Sequence, residues 1–187
     1  MTRYRRYCLL RVFIFALFAA MAPNATAAQV MRFVTVGGGS TFPVGMAGQG
    51  INTGWLAEIM GGVTLPGNTV SLRLGGSYGQ NRIDALSGGN MMGTVEGGID
   101  RTLGAMAGIM VMPDLDRDLT PYVLASAGVM NSTFRGSTTS FGWATGVGAT
   151  LQTGLAAFYV ECRFVRARKD GRNADMIPLT AGIRLGN

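Results

Sequence analysis

Few side chains in this 187-residue sequence could act as a base or a nucleophile. The sequence has no histidine, and Lys169, its only lysine, lies in the charged run RARKDGRNAD. Glu58 and Glu161 could form a carboxylate pair for general acid–base catalysis. There is no His and Cys cluster for a transition metal, and the glycine-rich runs GGGSTFPVG and SGGNMMG lack the lysine and following helix of a phosphate-binding loop. We therefore predict no catalytic residue, no metal and no cofactor.

The remaining charges follow a pattern that favours a structural role. Five of them fall opposite rows of large apolar side chains, in stretches that alternate with period two: Glu58, Arg73, Glu161, Arg163 and Arg184. Because successive side chains of a strand point to opposite sides, each stretch predicts a strand with one apolar and one charged face. A soluble sheet would turn the charged face to water, whereas a membrane-spanning barrel would turn it to its lumen. Inside a lumen these residues would pair, because an unpaired charge there is costly.

The clearest alternation lies in two runs, NTGWLAEIMGGVTL and VSLRLGGSYG, which PGNT separates. A two-residue turn at residues 66–67 would set Leu65 opposite Asn68 and Trp55 opposite Tyr78. One face of this hairpin is then apolar along both strands, and the other is mostly polar or small. Strands of roughly ten residues, with an aromatic pair away from the turn, favour a membrane-spanning barrel.

The whole chain reads as eight strands, with the facing of the first and fifth left open. They are predicted at residues 31–39, 52–65, 70–79, 101–112, 120–130, 141–151, 156–166 and 176–187. Residues 40–50, 80–100 and 166–175 are predicted as loops. Connections after the second, fourth and sixth strands are short, and those after the first and third are long. This asymmetry and the even strand count are typical of outer-membrane barrels.

The N-terminus has the layout of a secretory signal peptide. Three arginines precede the apolar run LLRVFIFALFAAMA, which contains a fourth, and small residues that suit a cleavage site follow it up to Ala28. We predict a cleaved signal peptide at residues 1–28 and a single barrel domain at residues 29–187. Removal of the peptide leaves twelve of the sixteen basic residues against ten acidic ones, which does not favour nucleic-acid binding. Cys162 is then the only thiol, so no intramolecular disulfide can form.

Three segments carry a resemblance to a known family. IPLTAGIRL, FYVECRF and PYVLASAGV, at residues 177–185, 158–164 and 121–129, resemble strands of small outer-membrane β-barrel proteins of the OmpA/OmpX-like kind. The resemblance implies an eight-stranded antiparallel up-and-down transmembrane β-barrel in the bacterial outer membrane. Its implied partners are membrane lipid, lipopolysaccharide and the barrel-assembly machinery. The closing strand departs from the family pattern, since Leu185 stands where an aromatic residue is usual. Enzymes of this family use a histidine, which this sequence lacks.

These observations predict a role for three groups of residues. The five charged residues opposite the apolar rows are expected to plug the lumen. A basic cluster in the last outer loop is expected to hold lipopolysaccharide phosphates: Arg166, Arg168, Lys169 and Arg172. Four aromatic residues are expected at the membrane interface: Trp55, Tyr78, Phe141 and Trp143.

The predicted function is a non-enzymatic integral outer-membrane protein with a side-chain-filled lumen and a structural or surface-interaction role through its outer loops. Two alternatives stay open. One is an OmpW-like protein that binds or transports a small apolar molecule, and the other is a secreted soluble β-barrel or sandwich.

Overall fold

The computed structural model describes residues 30–45, 50–84, 97–113, 115, 118–133, 136–154, 156–169 and 172–186. The predicted signal peptide, residues 1–28, lies outside this part. Eight strands are present: β1 Met31–Val44, β2 Gly54–Thr64, β3 Val70–Ile83, β4 Gly98–Val111, β5 Leu119–Ser132, β6 Thr138–Thr153, β7 Ala156–Lys169 and β8 Arg172–Leu185. Within the described residues, no helix has the length and apolarity needed to cross a membrane.

The strands form one closed antiparallel barrel. Each strand pairs with its neighbours along the chain, and β8 pairs back with β1. Stepping from partner to partner around the sheet from Phe33 leads back to β1 at Pro43, ten residues further along. This stagger tilts the strands by roughly 40° from the barrel axis. The predicted eight-stranded up-and-down barrel is confirmed.

The barrel is apolar on the outside and polar on the inside. Large apolar side chains are exposed all around its outer surface, among them Val36, Ile59, Leu72, Leu74, Leu103, Ile109, Val123, Val129, Val147, Phe158, Val160, Leu179 and Ile183. The buried inner positions include polar and charged residues such as Thr64, Ser71, Glu161 and Thr180. We call the exposed set the apolar belt. A water-soluble monomer rarely exposes a continuous apolar surface of this kind, so the belt is suited to contact with lipid.

The two strands whose facing the sequence left open also have a defined inner side. Phe33 and Thr35 of β1 point into the lumen, as do Tyr122 and Leu124 of β5. These positions mix apolar and polar residues. Alternation of polarity alone therefore could not assign them.

Several strands extend beyond their predicted bounds at one end of the barrel. We call this the long-loop end, because the connections at residues 45–53 and 84–97 lie there; the other is the short-turn end. Residues 40–44 continue β1, and residues 166–169 and 172–175 continue β7 and β8. The predicted loops were wrong for these segments. A strand of 14 residues covers roughly 35 Å of height at this tilt, more than an apolar band of about 25 Å. The ladder thus continues past the belt, where charged side chains face water.

The register of the predicted hairpin was wrong by two residues. Thr64 pairs with Ser71, because the connection holds four residues rather than two. The N–H of Leu65 donates to the carbonyl of Val70 (2.8 Å), and the N–H of Asn68 donates to the carbonyl of Leu65 (3.2 Å). Asn68 has a positive φ of 56°, which asparagine tolerates. A shift of two residues preserves the faces, so every side chain stays on its predicted side.

Candidate functional site

A cluster of charged side chains fills the middle of the lumen. Glu58 lies on β2, Arg73 on β3, and Glu161 and Arg163 on β7; all four point inward and are buried. Each stands on the inner side because its strand turns the intervening apolar residues outward. Antiparallel closure then brings β2 and β3 across the lumen from β7.

Glu161 is the centre of this cluster, with only 1% of its surface exposed. Arg73 binds it with two N–H donors, Nη1 to Oε2 at 2.8 Å and Nη2 to Oε1 at 3.1 Å. The hydroxyl of Tyr122 also donates to Oε2, at 3.0 Å. Nε of Arg163 lies 3.1 Å from Oε1 and adds a second ion pair. The buried carboxylate thus has several charged and polar partners.

Glu58 has a similar set of partners. Arg163 donates to it through Nη2, and the hydroxyl of Tyr159 donates to Oε1 at 3.1 Å. Arg163 therefore links the two carboxylates into one network. Both glutamates are bound as anions to arginine, so neither is placed as a free general base.

Arg184 stands apart from the other predicted lumen charges. Its guanidinium lies over the ring of Phe33, 3.8 Å from the centroid. Its Nη2 donates to Oγ1 of Thr64 at 3.3 Å, and Nη1 lies 3.8 Å from Sδ of Met112. Among the described residues, no carboxylate is within 4 Å of it. The structure therefore joins four of the five residues by ion pairs, whereas the direct contacts of Arg184 are with neutral groups near the short-turn end.

Two tyrosines belong to the network although the sequence analysis did not select them. Tyr159 lies on the predicted inner face of β7, so its position next to a glutamate was available as a signal. Tyr122 could not be placed in the lumen from the sequence, because the facing of the fifth strand was left open. Glycines on nearby strands make room for both rings. A Cβ on Gly148, on the adjacent strand β6, would lie 2.4 Å from the Tyr122 ring, and one on Gly37, on β1 beyond β8, would lie 2.1 Å from the Tyr159 hydroxyl.

Two small cavities lie between the described side chains of the lumen. One cavity of about 20 Å³ lies between Arg73, Tyr122, Glu161 and Arg184, and a second of about 20 Å³ lies beside Glu58 and Arg163. Each has room for about one water molecule. Among the described residues, no group of His, Cys, Asp and Glu is arranged to hold a metal ion.

The predicted interface aromatics lie on the outer surface toward the long-loop end. Trp55 and Tyr78 contact each other across β2 and β3, with ring centroids 5.7 Å apart. Phe141 and Trp143 are exposed on β6, on another part of the circumference. The aromatic residues therefore lie at one end of the apolar belt.

The predicted basic cluster lies on strand ends rather than in a loop. Arg166 and Arg168 belong to β7, Lys169 ends that strand and Arg172 begins β8. Arg166 forms a bidentate ion pair with Asp175, with both N···O distances 2.8 Å. Its guanidinium also lies 5.9 Å from the centroid of the Trp143 ring.

Two further exposed arginines at this end were missed. Arg82 and Arg101 lie on β3 and β4, just beyond Tyr78. Arg82 follows Tyr78 and Gln80 at steps of two along β3, and Arg101 is the partner of Gln80 on β4. The period-two pattern therefore already indicated that both arginines face outward. Outward arginines thus stand next to aromatic residues on two sides of the barrel.

No protein-family model matches the chain, and no curated protein matches its sequence. Solved structures do match. Neisserial surface protein A (NspA) is 15% identical, with 82% of this chain and 96% of that chain covered at a TM-score of 0.58. The outer membrane protein OprG from Pseudomonas aeruginosa is 13% identical, with 86% and 98% covered at a TM-score of 0.54. This chain has the fold of a small outer-membrane β-barrel. At these identities the likeness is one of fold, so the role of the barrel has to be argued from its own residues.

Proposed function

We propose that this barrel is a non-enzymatic integral protein of the bacterial outer membrane. Its lumen is closed by its own side chains, and its role is structural or lies in contacts made at the long-loop end. One observation carries this proposal: an apolar belt surrounds a lumen in which Glu58, Arg73, Glu161 and Arg163 are buried and paired. A soluble barrel has the opposite arrangement, with apolar residues inside and charges in water.

The lumen argues against passage of a small apolar molecule. Ligand pockets usually enclose about 300–1,000 Å³, whereas the lumen cavities described above hold about 20 Å³ each. They are lined by arginine and glutamate, which an apolar ligand would have to strip of their partners. A plugged barrel therefore fits these residues better than an OmpW-like transporter.

Conductance tests the plugged lumen. The purified monomer in a planar bilayer is expected to show no stable, large ion current. A variant that replaces both Arg73 and Glu161 with alanine removes the central ion pair and is expected to conduct more. Stable, large currents from the unmodified protein would contradict the proposal.

Membrane extraction tests the location. The mature chain is expected to stay with the membrane fraction after carbonate treatment and to migrate differently on a gel before and after heating. Release by carbonate would favour the secreted soluble alternative.

The exposed arginines of the long-loop end support contact with lipopolysaccharide. Phosphate groups of an outer leaflet would lie at the level of the aromatic residues, within reach of Arg166, Arg168, Arg82 and Arg101. Asp175 already pairs with Arg166, but Arg168 is exposed and forms the next outward position on β7.

Copurification tests this contact. Replacing Arg166, Arg168, Lys169 and Arg172 with glutamine should lower the lipopolysaccharide that copurifies with the barrel. The matched control is Arg32→Gln, at the opposite end. Unchanged copurification in the fourfold variant would reject the contact and leave the barrel proposal standing.

Insertion through the barrel-assembly machinery is part of the same proposal. The ladder of β8 continues to Leu185, which pairs with Val34 and with Ala156, so a complete strand is available despite the missing aromatic residue. Cells depleted of that machinery should accumulate the chain in a form that does not shift on heating. Normal folding in such cells would exclude this partner.

A further inference from the structure

Arg184 carries a positive charge inside the lumen, and among the described residues no carboxylate lies within 4 Å of it. Together with Arg184, the central cluster has three arginines but only two glutamates. Both carboxylates are engaged, Glu161 with Arg73 and Glu58 with Arg163. Arg184 has a ring face, a hydroxyl and a thioether as its contacts. Among the described side chains in the middle of the lumen and toward its short-turn end, one positive charge is therefore in excess.

Other described acids are not placed to supply the missing charge. Asp100 points inward but lies near the long-loop end, where it accepts a hydrogen bond from Ser132 at 2.6 Å. Asp118 is exposed at the short-turn end, and its carboxylate forms no ion pair with Arg184 within 4 Å. A partly buried cation without a counter-charge is costly, because the lumen offers fewer water contacts than bulk solvent.

The guanidinium still has N–H groups to offer. An arginine has five N–H donors in one plane. Arg184 lies over the face of Phe33, so the edge of its own plane stays available for acceptors. One contact of that edge is a hydroxyl and another is the sulfur of Met112, which is a weak acceptor.

A cavity of suitable size borders this side chain. It holds about 20 Å³ and is lined by Arg184 and Arg73, by hydroxyl groups such as those of Thr35 and Thr150, and by Glu161, whose carboxylate is already bound by Arg73 and Tyr122. That volume admits a single atom-sized occupant and is too small for phosphate, sulfate or an organic acid. Because Arg184 is only partly buried and lies toward the short-turn end, a small ion can reach it from that mouth.

We propose that Arg184 binds one small monovalent inorganic anion, of the chloride or bromide class, inside the lumen. The ion is a structural counter-charge that completes the network. Carboxylates and phosphates are excluded by size. The proposal concerns the lumen alone and does not depend on what the long-loop end contacts.

Bromide provides a direct probe in the unmodified protein. Crystals of the full barrel grown in sodium bromide should show an anomalous peak within hydrogen-bond distance of the Arg184 guanidinium. A well-ordered lumen without such a peak would overturn the proposal, and this measurement needs no variant that has to fold.

Stability in chloride provides the second measurement. Chloride is titrated against gluconate at constant ionic strength, and the temperature at which the folded gel band disappears is recorded. The midpoint of the unmodified protein should rise and then saturate, by roughly 2–4 °C. Arg184→Met should give no dependence on chloride, since it removes the charge and keeps an unbranched side chain against Phe33. Arg32→Met, which removes a charge from the outer face of β1, should respond like the unmodified protein. A chloride response that persists in Arg184→Met would overturn the proposal.

Discussion

Arg73 and Glu161 form the most completely satisfied ion pair of the lumen. Two N–H groups of one guanidinium meet two oxygens of one carboxylate, and Tyr122 adds a third donor. Such a pair contributes little net stability, because both charges lost their water on folding. Its importance lies in the cost of breaking it, since either charge left alone would be buried without compensation.

Glu161→Gln tests this cost. The amide keeps the volume of the side chain but leaves Arg73 without its anion, so we expect a loss of about 3–5 kcal/mol in the free energy of unfolding. Urea unfolding of the barrel in lipid vesicles measures it. The control is Asp175→Asn, which weakens a more exposed ion pair with Arg166 and should change stability less. Equal effects of the two variants would contradict a buried, water-poor network.

Gly148 tests how tightly the network is held. A methyl group at this position would overlap the Tyr122 ring, so Gly148→Ala should displace the tyrosine from Glu161 and cost about 1–3 kcal/mol. Gly142→Ala on the same strand is the matched control, because its added Cβ would meet its nearest atoms at 3.2 Å. Similar unfolding curves for the two variants would show that the ring moves freely.

At the scale of the strand, the outward side chains of β6 cross the apolar belt from one end to the other, so substitutions along this strand test where the hydrocarbon layer lies. Val147 lies mid-belt, opposite Val123 and Cys162. Val147→Arg would place a charge in the hydrocarbon and should cost about 2–4 kcal/mol of folding free energy. Thr139→Arg, exposed on the same face near the long-loop end, should be close to neutral. A larger loss of folding free energy for Thr139→Arg than for Val147→Arg would contradict the position that we assign to the hydrocarbon layer.

The strands also show how far the sequence could predict this fold. Period-two alternation assigned the faces of β2, β3 and β7, because one wrong step would have put charges on the apolar side. It could not count the residues of the turn after Leu65, since a shift of two residues leaves both faces unchanged. It also missed strand ends such as residues 166–169, where polarity reports the surrounding solvent and not the hydrogen-bond ladder.

At the scale of the whole barrel, closure decides which charges meet. Arg73 and Glu161 are 88 residues apart, and Glu58 and Arg163 are 105 apart. Period-two alternation along the strands predicted that all four side chains point inward. Their pairing depends on the stagger of ten residues around the sheet, which no local pattern contains. The same reason explains why Arg184 was grouped with them although it meets Phe33.

The central claim is that the apolar side chains face lipid while the charges face inward, and Cys162 is a natural probe for it. This thiol is exposed on the outer surface and pairs with Val147 and Leu179 in the middle of the belt. A spin label attached to it in a bilayer can be tested for collisions with oxygen, which concentrates in lipid, and with a water-soluble nickel chelate. We predict frequent collisions with oxygen and rare ones with the chelate. Frequent chelate collisions, or protection from both reagents as in a packed interior, would contradict the account.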